Sequence, residues 1–457
     1  MDAKLPDLSV AERLAGKIAA LDAARLPAAV RHKCEDLLID VVGLCVTVRN
    51  EPYVKSAMAA WDDDGPCTAI GHLRGMSAAG AAFVNGTAIH GEDFDDTFEG
   101  GPVHAGAVIV PAVLAAAERY QLDGGAVLLG IAVGTEVMCR LSTLAPTRTH
   151  KAGFHPTAIF GAMGAAAGVG AALRLDAKQL ADALGNVGSM ASGIIEYLAE
   201  GAWTKRMHPG WAAQAGLRAA LLGRAGFLGP RTVFEGVHGL FHAFANTTGV
   251  DFAPLVEDFG LRWVTETLAF KLYPCGTMTH PYIDCARRLA ARGIKAEAIR
   301  EMVCEVGEGT VHRLWEPLAA KQRPANGYAG KFSTPYCIAA GFVRGNVGLS
   351  DFTDAAVRDP AVLELAAKVR YQIDPNNQYP KNFTGHIFAK LIGGRVVEER
   401  QPHMRGGAHE PLTRLDIEDK FALNAHHGGW SEERAKRALA LLWTLYDGKV
   451  DLKPLRG

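Results

Sequence analysis

The sequence carries almost no net charge: 48 lysines and arginines stand against 49 aspartates and glutamates, a formal balance of −1. Such a balance recruits neither nucleic acid nor an anionic membrane surface. An anionic ligand must therefore be drawn by a few local cations. Paired cysteines are missing too. Cys34, Cys45, Cys67, Cys139, Cys275, Cys285, Cys304 and Cys337 show no C-x-x-C spacing, which argues against a zinc site or a dithiol redox motif. Met1–Asp7 lacks the basic-then-apolar order of a secretion signal. In a chain this large the thiols read as free, mostly buried and cytoplasmic. There is no long run of bulky apolar residues. The least polar stretch, Ala158–Leu173, is built of Ala and Gly, falls short of a bilayer span and ends at Arg174. It reads as a close-packed core helix, so no membrane segment is expected.

Nucleotide and hydrolase signatures are absent as well. There is no G-x-x-x-x-G-K-[ST] loop, no G-x-G-x-x-G after a strand, no H-E-x-x-H and no G-x-S-x-G. The glycines of Gly161–Gly170 lie inside a helical run, not at a strand-to-helix turn. Nicotinamide, flavin and ATP chemistry are disfavoured.

What remains is mainly helical text. Residues 1–268 are rich in Ala and Gly and repeat a helical pattern, for example over Gln179–Glu200, over Trp211–Ala225 and before Gly91. Glycine costs about 1 kcal/mol in a helix interior, so packing must compensate, and small residues allow helices to approach closely. Residues 269–392 change character. Met302–Val306, Arg370–Ile373, Gly385–Lys390 and Gly394–Glu399 read as strands and Pro360–Val369 as a helix, which makes an α+β domain. Residues 393–457 return to helix, chiefly Ser431–Leu445, which could pack back on the first domain.

Five clusters could carry chemistry. The first is His90-Gly-Glu92-Asp93-Phe-Asp95-Asp96-Thr97, followed by His104. Four carboxylates in five residues are not expected to be buried together. At a helix end, Asp93 and Thr97 would share a face and Asp95 would point elsewhere. The cluster is either a solvated acidic turn or cation site, or a set of carboxylates that orient a histidine or pair with a lysine. In the second, Pro156 suits a first helical turn and leaves His155 at the N-cap, as a plain cap or as part of an anion site with a lowered pKa. The third, Lys205-Arg-Met-His208-Pro-Gly, precedes an apolar helix and would equally suit a surface loop. The fourth, Lys271 to His280, falls at the change of composition and reads as a hinge whose lysine faces an interdomain cleft. The fifth runs from Arg323 through Lys331 to Tyr336, a tyrosine that could equally be core packing.

In this order, His90–Thr97 with His104, Gly153–Thr157, Lys205–Gly210, Lys271–His280 and Lys331–Tyr336 resemble the MmgE/PrpD family. The resemblance implies a homodimer of large all-helical domains made from both chain ends, each with a smaller α+β lid, and no metal or organic cofactor. It implies 2-methylcitrate dehydratase, cis-aconitate decarboxylase or iminodisuccinate epimerase chemistry on a small polycarboxylate. Carried over, Asp93, Thr97, His104, His155, Lys205, Lys271 and Tyr336 surround the substrate, with His208 and Arg323 as further contacts. The sequence departs from the pattern in one extra residue between Thr97 and His104, in Ala105 where many members have proline, and in Gly276 where the decarboxylases carry a histidine.

The expected mechanism is proton transfer at a carbon beside a carboxylate, with Lys205 and Lys271 as cations, His155 or His104 as base, Tyr336 as acid and Asp93 orienting a partner. A lyase leads. Epimerisation of an N-substituted aspartate is the alternative, and an inactive carboxylate-binding paralogue or a metal site at His90, Asp93, Asp96 and His104 are further readings.

Overall fold

The computed structural model describes residues 7–200 and 202–457. The segment read for a secretion signal lies, except for Asp7, outside them. The chain divides into two compact units. One comprises residues 1–91, 95–268 and 413–457; the other comprises Glu92–Phe94 and Ala269–Leu412.

The first unit is a helical body. Its centre is Pro156–Ala172, every residue of which is buried. Around it pack Gly106–Tyr120, Gly124–Leu144, Ala177–Gly188 and Thr204–Arg224. Small residues permit this. A Cβ on Gly164 would stand 2.6 Å from the carbonyl oxygen of Gly134, and one on Gly168 would stand 2.5 Å from that of Gly130. Backbones therefore meet where side chains usually intervene. Gly124–Leu144 is long and apolar enough to cross a membrane, yet most of it is buried inside this unit. It also carries an ion pair, Arg140 Nε to Glu136 Oε1 at 2.6 Å. Glu136 further accepts the backbone amides of Val264 and Thr265 at 3.0 Å each. A core helix explains those contacts.

The C-terminal helices belong to the same unit. Arg414–His427 packs on Ala28–Thr47, where Lys420 Nζ lies 2.7 Å from Asp40 Oδ1 and Arg414 pairs with Glu35 and Asp36 at 2.9 and 2.6 Å. Glu432–Thr444 begins at Ser431, whose side chain accepts from the Arg434 amide.

The second unit is built on one four-stranded sheet in the order Val369–Ile373, Ile299–Val306, Gly385–Leu391, Val396–Gln401. The first pair is parallel, with Cys304 opposite Tyr371; the others are antiparallel, with Cys304 opposite Ile387 and Phe388 opposite Glu398. Alternation buries Met302, Cys304 and Val306 with Ile387 and Ala389. The helices His280–Ala291 and Thr334–Arg344 complete that core.

Two expectations are corrected. A domain boundary at 392/393 would cut the hairpin between the last two strands, and the unit continues to Leu412. The helix expected over Gln179–Glu200 ends at Gly188. The chain then runs irregularly through Gly193, whose φ of +139° only glycine adopts readily.

Gly168→Ala should cost about 1–3 kcal/mol of the stability of the first unit, because the methyl group meets a backbone oxygen that cannot rotate away. Denaturant unfolding with an unchanged m-value measures it. A midpoint equal to the parent's would show that the two helices separate without penalty.

Candidate active site

In the first unit, four histidines from four separate stretches of the chain meet. His90 ends the helix Ala78–His90, which Ser77 caps. His104 stands just before Gly106–Tyr120. His155 is the N-cap of Pro156–Ala172, with Pro156 at its first position. His208 lies in the second turn of Thr204–Arg224. Ring centroids are 4.8 Å apart for His90 and His104, 5.7 Å for His90 and His155, and 5.3 Å for His155 and His208. Tyr197 joins them, 6.1 Å from His155 and 5.8 Å from His208.

The acidic segment is not a helix end. The helix stops at His90, and Asp93 takes a left-handed φ of +58°. Asp93, Asp95 and Asp96 are all buried, against expectation. Each has found a partner that makes burial tolerable. Asp95 Oδ2 lies 2.7 Å from His90 Nδ1, both side chains fully inaccessible, while Oδ1 lies 3.7 Å from His104 Nδ1. Asp96 accepts the amides of Ala105 and Gly106 at 2.9 Å each, where Gly106–Tyr120 begins. Burial, with Asp95 and Asp40 nearby, pushes the Asp96 carboxyl well above the usual range.

His104 has its tautomer set by geometry. Its Nδ1 lies 2.7 Å from the carbonyl oxygen of Asp96, which can only accept, so Nδ1 donates and Nε2 keeps its lone pair. His155 and His208 face each other through their Nδ1 atoms at 3.2 Å. Burial above all, then electrostatic interaction with His90, His208, Lys205 and His104, drives the His155 pKa well below its ordinary value. Burial, with His90 and Lys205, takes His208 down to about 4. Two neutral imidazoles satisfy the contact, one donating and one accepting. The expected lowering at His155 is present, but its leading cause is burial, not the helix N-terminus.

Backbone contacts hold these rings. The His155 amide donates to the Gly193 carbonyl at 2.9 Å, and Phe154 bridges Ile194. A Cβ on Gly193 would meet Ala158 at 2.7 Å and the His208 ring at 3.3 Å. Gly210 presses on the Phe83 carbonyl so closely that only glycine fits. Lys205, buried, sits in the first turn of Thr204–Arg224, so the expected loop is already helix. Pro209 follows within that helix and has no amide to offer the Lys205 carbonyl. Thr97 is buried in this unit.

The remaining sequence candidates belong to the second unit. Lys271, expected to face a cleft, is fully buried; its ammonium donates to Asp93 Oδ1 at 2.6 Å and to the Asp93 carbonyl at 2.9 Å. Lys331 holds Glu92 in the same way, at 2.7 Å to Oε2 and 2.8 Å to its carbonyl. Tyr336, expected as an acid, is core: its hydroxyl donates to the Asp351 carbonyl at 2.6 Å, and burial raises its pKa. Arg323 is exposed at the end of the short helix Leu318–Gln322. Among the described residues one group has metal-ligand geometry, His90, Asp95 and His104. It differs from the set expected by using Asp95 in place of Asp93 and Asp96. His90, Asp95 and Tyr197 received no catalytic role from sequence. The H-x-x-x-x-D spacing of His90 and Asp95 was the available signal.

Residues 12–253 match the MmgE/PrpD N-terminal domain and residues 273–445 the MmgE/PrpD C-terminal domain. The chain belongs to the MmgE/PrpD family. It is similar to a cis-aconitate decarboxylase-like protein, oryM, of Aspergillus oryzae, at 27% identity over 91% of this chain and 90% of that one. The cis-aconitate decarboxylase of Aspergillus terreus is 28% identical over 94% and 91%, and that of Homo sapiens 29% over 76% and 72%. With its family, this chain is an enzyme of the lyase type.

The buried histidines make stability depend on pH. His208 has a folded pKa of about 4 against 6.5 in the unfolded chain, so acidification protonates the unfolded state first. Stability is full above pH 6.5 and falls towards pH 4, by about 2 kcal/mol between pH 7 and pH 5 from this residue alone. His208→Gln should flatten that slope in denaturant titrations at several pH values. A slope as steep as the parent's would place His208 in solvent.

Proposed function

We propose that this enzyme is a carboxy-lyase or hydro-lyase for a small di- or tricarboxylate of the aconitate or methylcitrate type, with its own side chains moving the proton and no cofactor taking part. The observation that carries the reading is the histidine set by Asp96: His104 Nδ1 donates to a backbone carbonyl and has the Asp95 carboxylate 3.7 Å away. That arrangement leaves Nε2 as a base and stabilises the imidazolium that forms when it takes a proton.

Accessibility supports a reading of the other roles. His90 is 1% exposed and its Nδ1 is engaged by Asp95, so it positions that carboxylate. His104 retains 8% exposure, His155 5% and His208 4%, more than His90, which supports these three as the rings nearest a substrate. Removing a proton beside a carboxylate places negative charge on its oxygens. Lys205 supplies the compensating cation, and neutral His155 donates a hydrogen bond without repelling it. Dehydration follows that removal with a proton on the departing hydroxyl, whereas decarboxylation removes no proton: the C–CO2 bond breaks, its electron pair remains on the carbon skeleton beside Lys205, and a histidine in its protonated form then delivers one proton to carbon. The relatives named cis-aconitate decarboxylase support the second course.

One observation favours the epimerase alternative. At Gly276 a Cβ would already stand 3.2 Å from Leu314, so a larger side chain there would displace packed atoms. The histidine that the family resemblance implies for decarboxylases at this position has no counterpart here. Its absence weighs against the decarboxylase course and leaves epimerisation of an N-substituted aspartate as the alternative.

Incubation of cis-aconitate, 2-methylcitrate and iminodisuccinate in D2O, followed by proton NMR, separates these courses. Loss of CO2 or water is expected; deuterium uptake at carbon with no loss would establish the epimerase. His104→Ala and Lys205→Ala should each lower turnover by at least about 10²-fold with the fold intact by circular dichroism. Activity within a few-fold of the parent in both would remove the histidine group from the chemistry.

The family resemblance further supports a homodimer, and eight free buried thiols suit the cytoplasm. Light scattering should return about twice the chain mass of 48.6 kDa. A monomer mass at micromolar concentration would reject the dimer.

A further inference from the structure

A groove of about 490 Å³ opens in the first unit between the irregular stretch after Gly188 and the first turns of Thr204–Arg224. Buried Tyr197 and His208 form its floor. Its sides include Ile194, Ala202, Met207 and Trp211. Ile194 is 62% exposed and Trp211 38%, so large apolar surfaces face open space. At the inner end, His208 is hydrogen-bonded to His155 at 3.2 Å. The groove therefore begins at the histidine group and leads outward from it.

Its electrostatics exclude the part of the substrate that the reaction handles. None of the described lining residues is a lysine or arginine, one is an exposed acid, Glu196, and His208 is neutral at pH 7. A carboxylate seated against these walls would meet the like charge of Glu196 and no lysine or arginine among the described lining residues; the Lys205 charge that bears on His208 acts at the floor, where the polar end belongs. Hydrocarbon would gain from covering Ile194, Met207 and Trp211. Size points the same way, since pockets of about 300–1,000 Å³ hold molecules well above a bare tricarboxylic acid.

We propose that this groove is a subsite for a hydrocarbon substituent, so that the preferred substrate is a di- or tricarboxylate extended by an alkyl chain. The inference rests on the lyase reading of the histidine group. It adds the chemical class of the substrate: the polar end reacts beside His104, His155 and Lys205, and the chain lies over Ile194 and Trp211.

Calorimetric binding of succinate and of 2-ethyl-, 2-butyl- and 2-hexylsuccinate to the full chain tests the subsite without turnover. Affinity should rise roughly two- to fourfold per added methylene while the chain remains in the groove. Ala202→Trp, at an exposed position, should fill the groove and abolish the rise; Trp211→Ala should weaken the longer ligands only. Affinity that does not change with chain length, or a rise that survives both substitutions, overturns the proposal. So does flat affinity with a changed molecular mass in Trp211→Ala, which would assign the groove to a second copy. Turnover of cis-aconitate in the same preparations reports on the lyase reading separately. Chain-length-dependent binding without turnover retains the subsite and rejects the chemistry; turnover with flat binding does the reverse.

Discussion

The Asp96 carboxylate accepts the two amides that open Gly106–Tyr120, and the rest of the histidine group depends on that contact. Nothing at the N-cap itself satisfies those amides, because Ala105 has no side-chain acceptor. Asp96 reaches across from nine residues earlier and closes the intervening segment into a fixed loop. Once it is closed, the Asp96 carbonyl receives His104 Nδ1, and the neighbouring Asp95 lies between His90 and His104. A helix start, a tautomer and a carboxylate–histidine pair follow from one anchoring residue. A buried acid is costly in isolation, and here two amides at a helix N-terminus offset part of that cost.

The glycines serve the same end from the other side. Helices that carried ordinary side chains at Gly164, Gly168 and Gly210 would stand further apart, and His155 and His208 would lose their 3.2 Å contact. Close packing also removes water from the rings. Dehydration keeps His155 and His208 neutral, which suits hydrogen-bond donation to an anion better than a charged imidazolium that would hold the substrate equally tightly before and during reaction. The conformational cost of many glycines in helices is thus offset at the site as well as in the core.

Much of this was legible in sequence, for identifiable reasons. Ser431 and Pro156 mark helix starts through strictly local chemistry, and the alternation in Met302–Val306 reports a half-buried sheet. The order of the five motifs pointed to the family. What sequence could not give was partner identity at long range. Counting charges made Glu92–Asp96 look too acidic to bury; the partners that permit burial, Lys271 and Lys331 in the second unit and the 105–106 amides in the first, lie up to 239 residues away. For the same reason Tyr336 could be read as an acid or as core packing; Asp351, fifteen residues on, takes its hydroxyl.

The short segment after His90 shows how a single motif can be divided by its surroundings. Glu92 and Asp93 belong to the second unit, where each is neutralised by a buried lysine; Asp95 and Asp96 belong to the first, where histidine and backbone amides take them. The left-handed turn at Asp93 makes the alternation possible, since a helix would have carried Asp93 and Thr97 on one face. Lysine fixes the first pair by charge and by hydrogen bonds to their backbone carbonyls, whereas Asp95 lies 2.7 Å from His90 and 3.7 Å from His104. The four carboxylates that look alike in sequence therefore divide into three held by lysines or backbone amides and one, Asp95, that lies between two histidine rings.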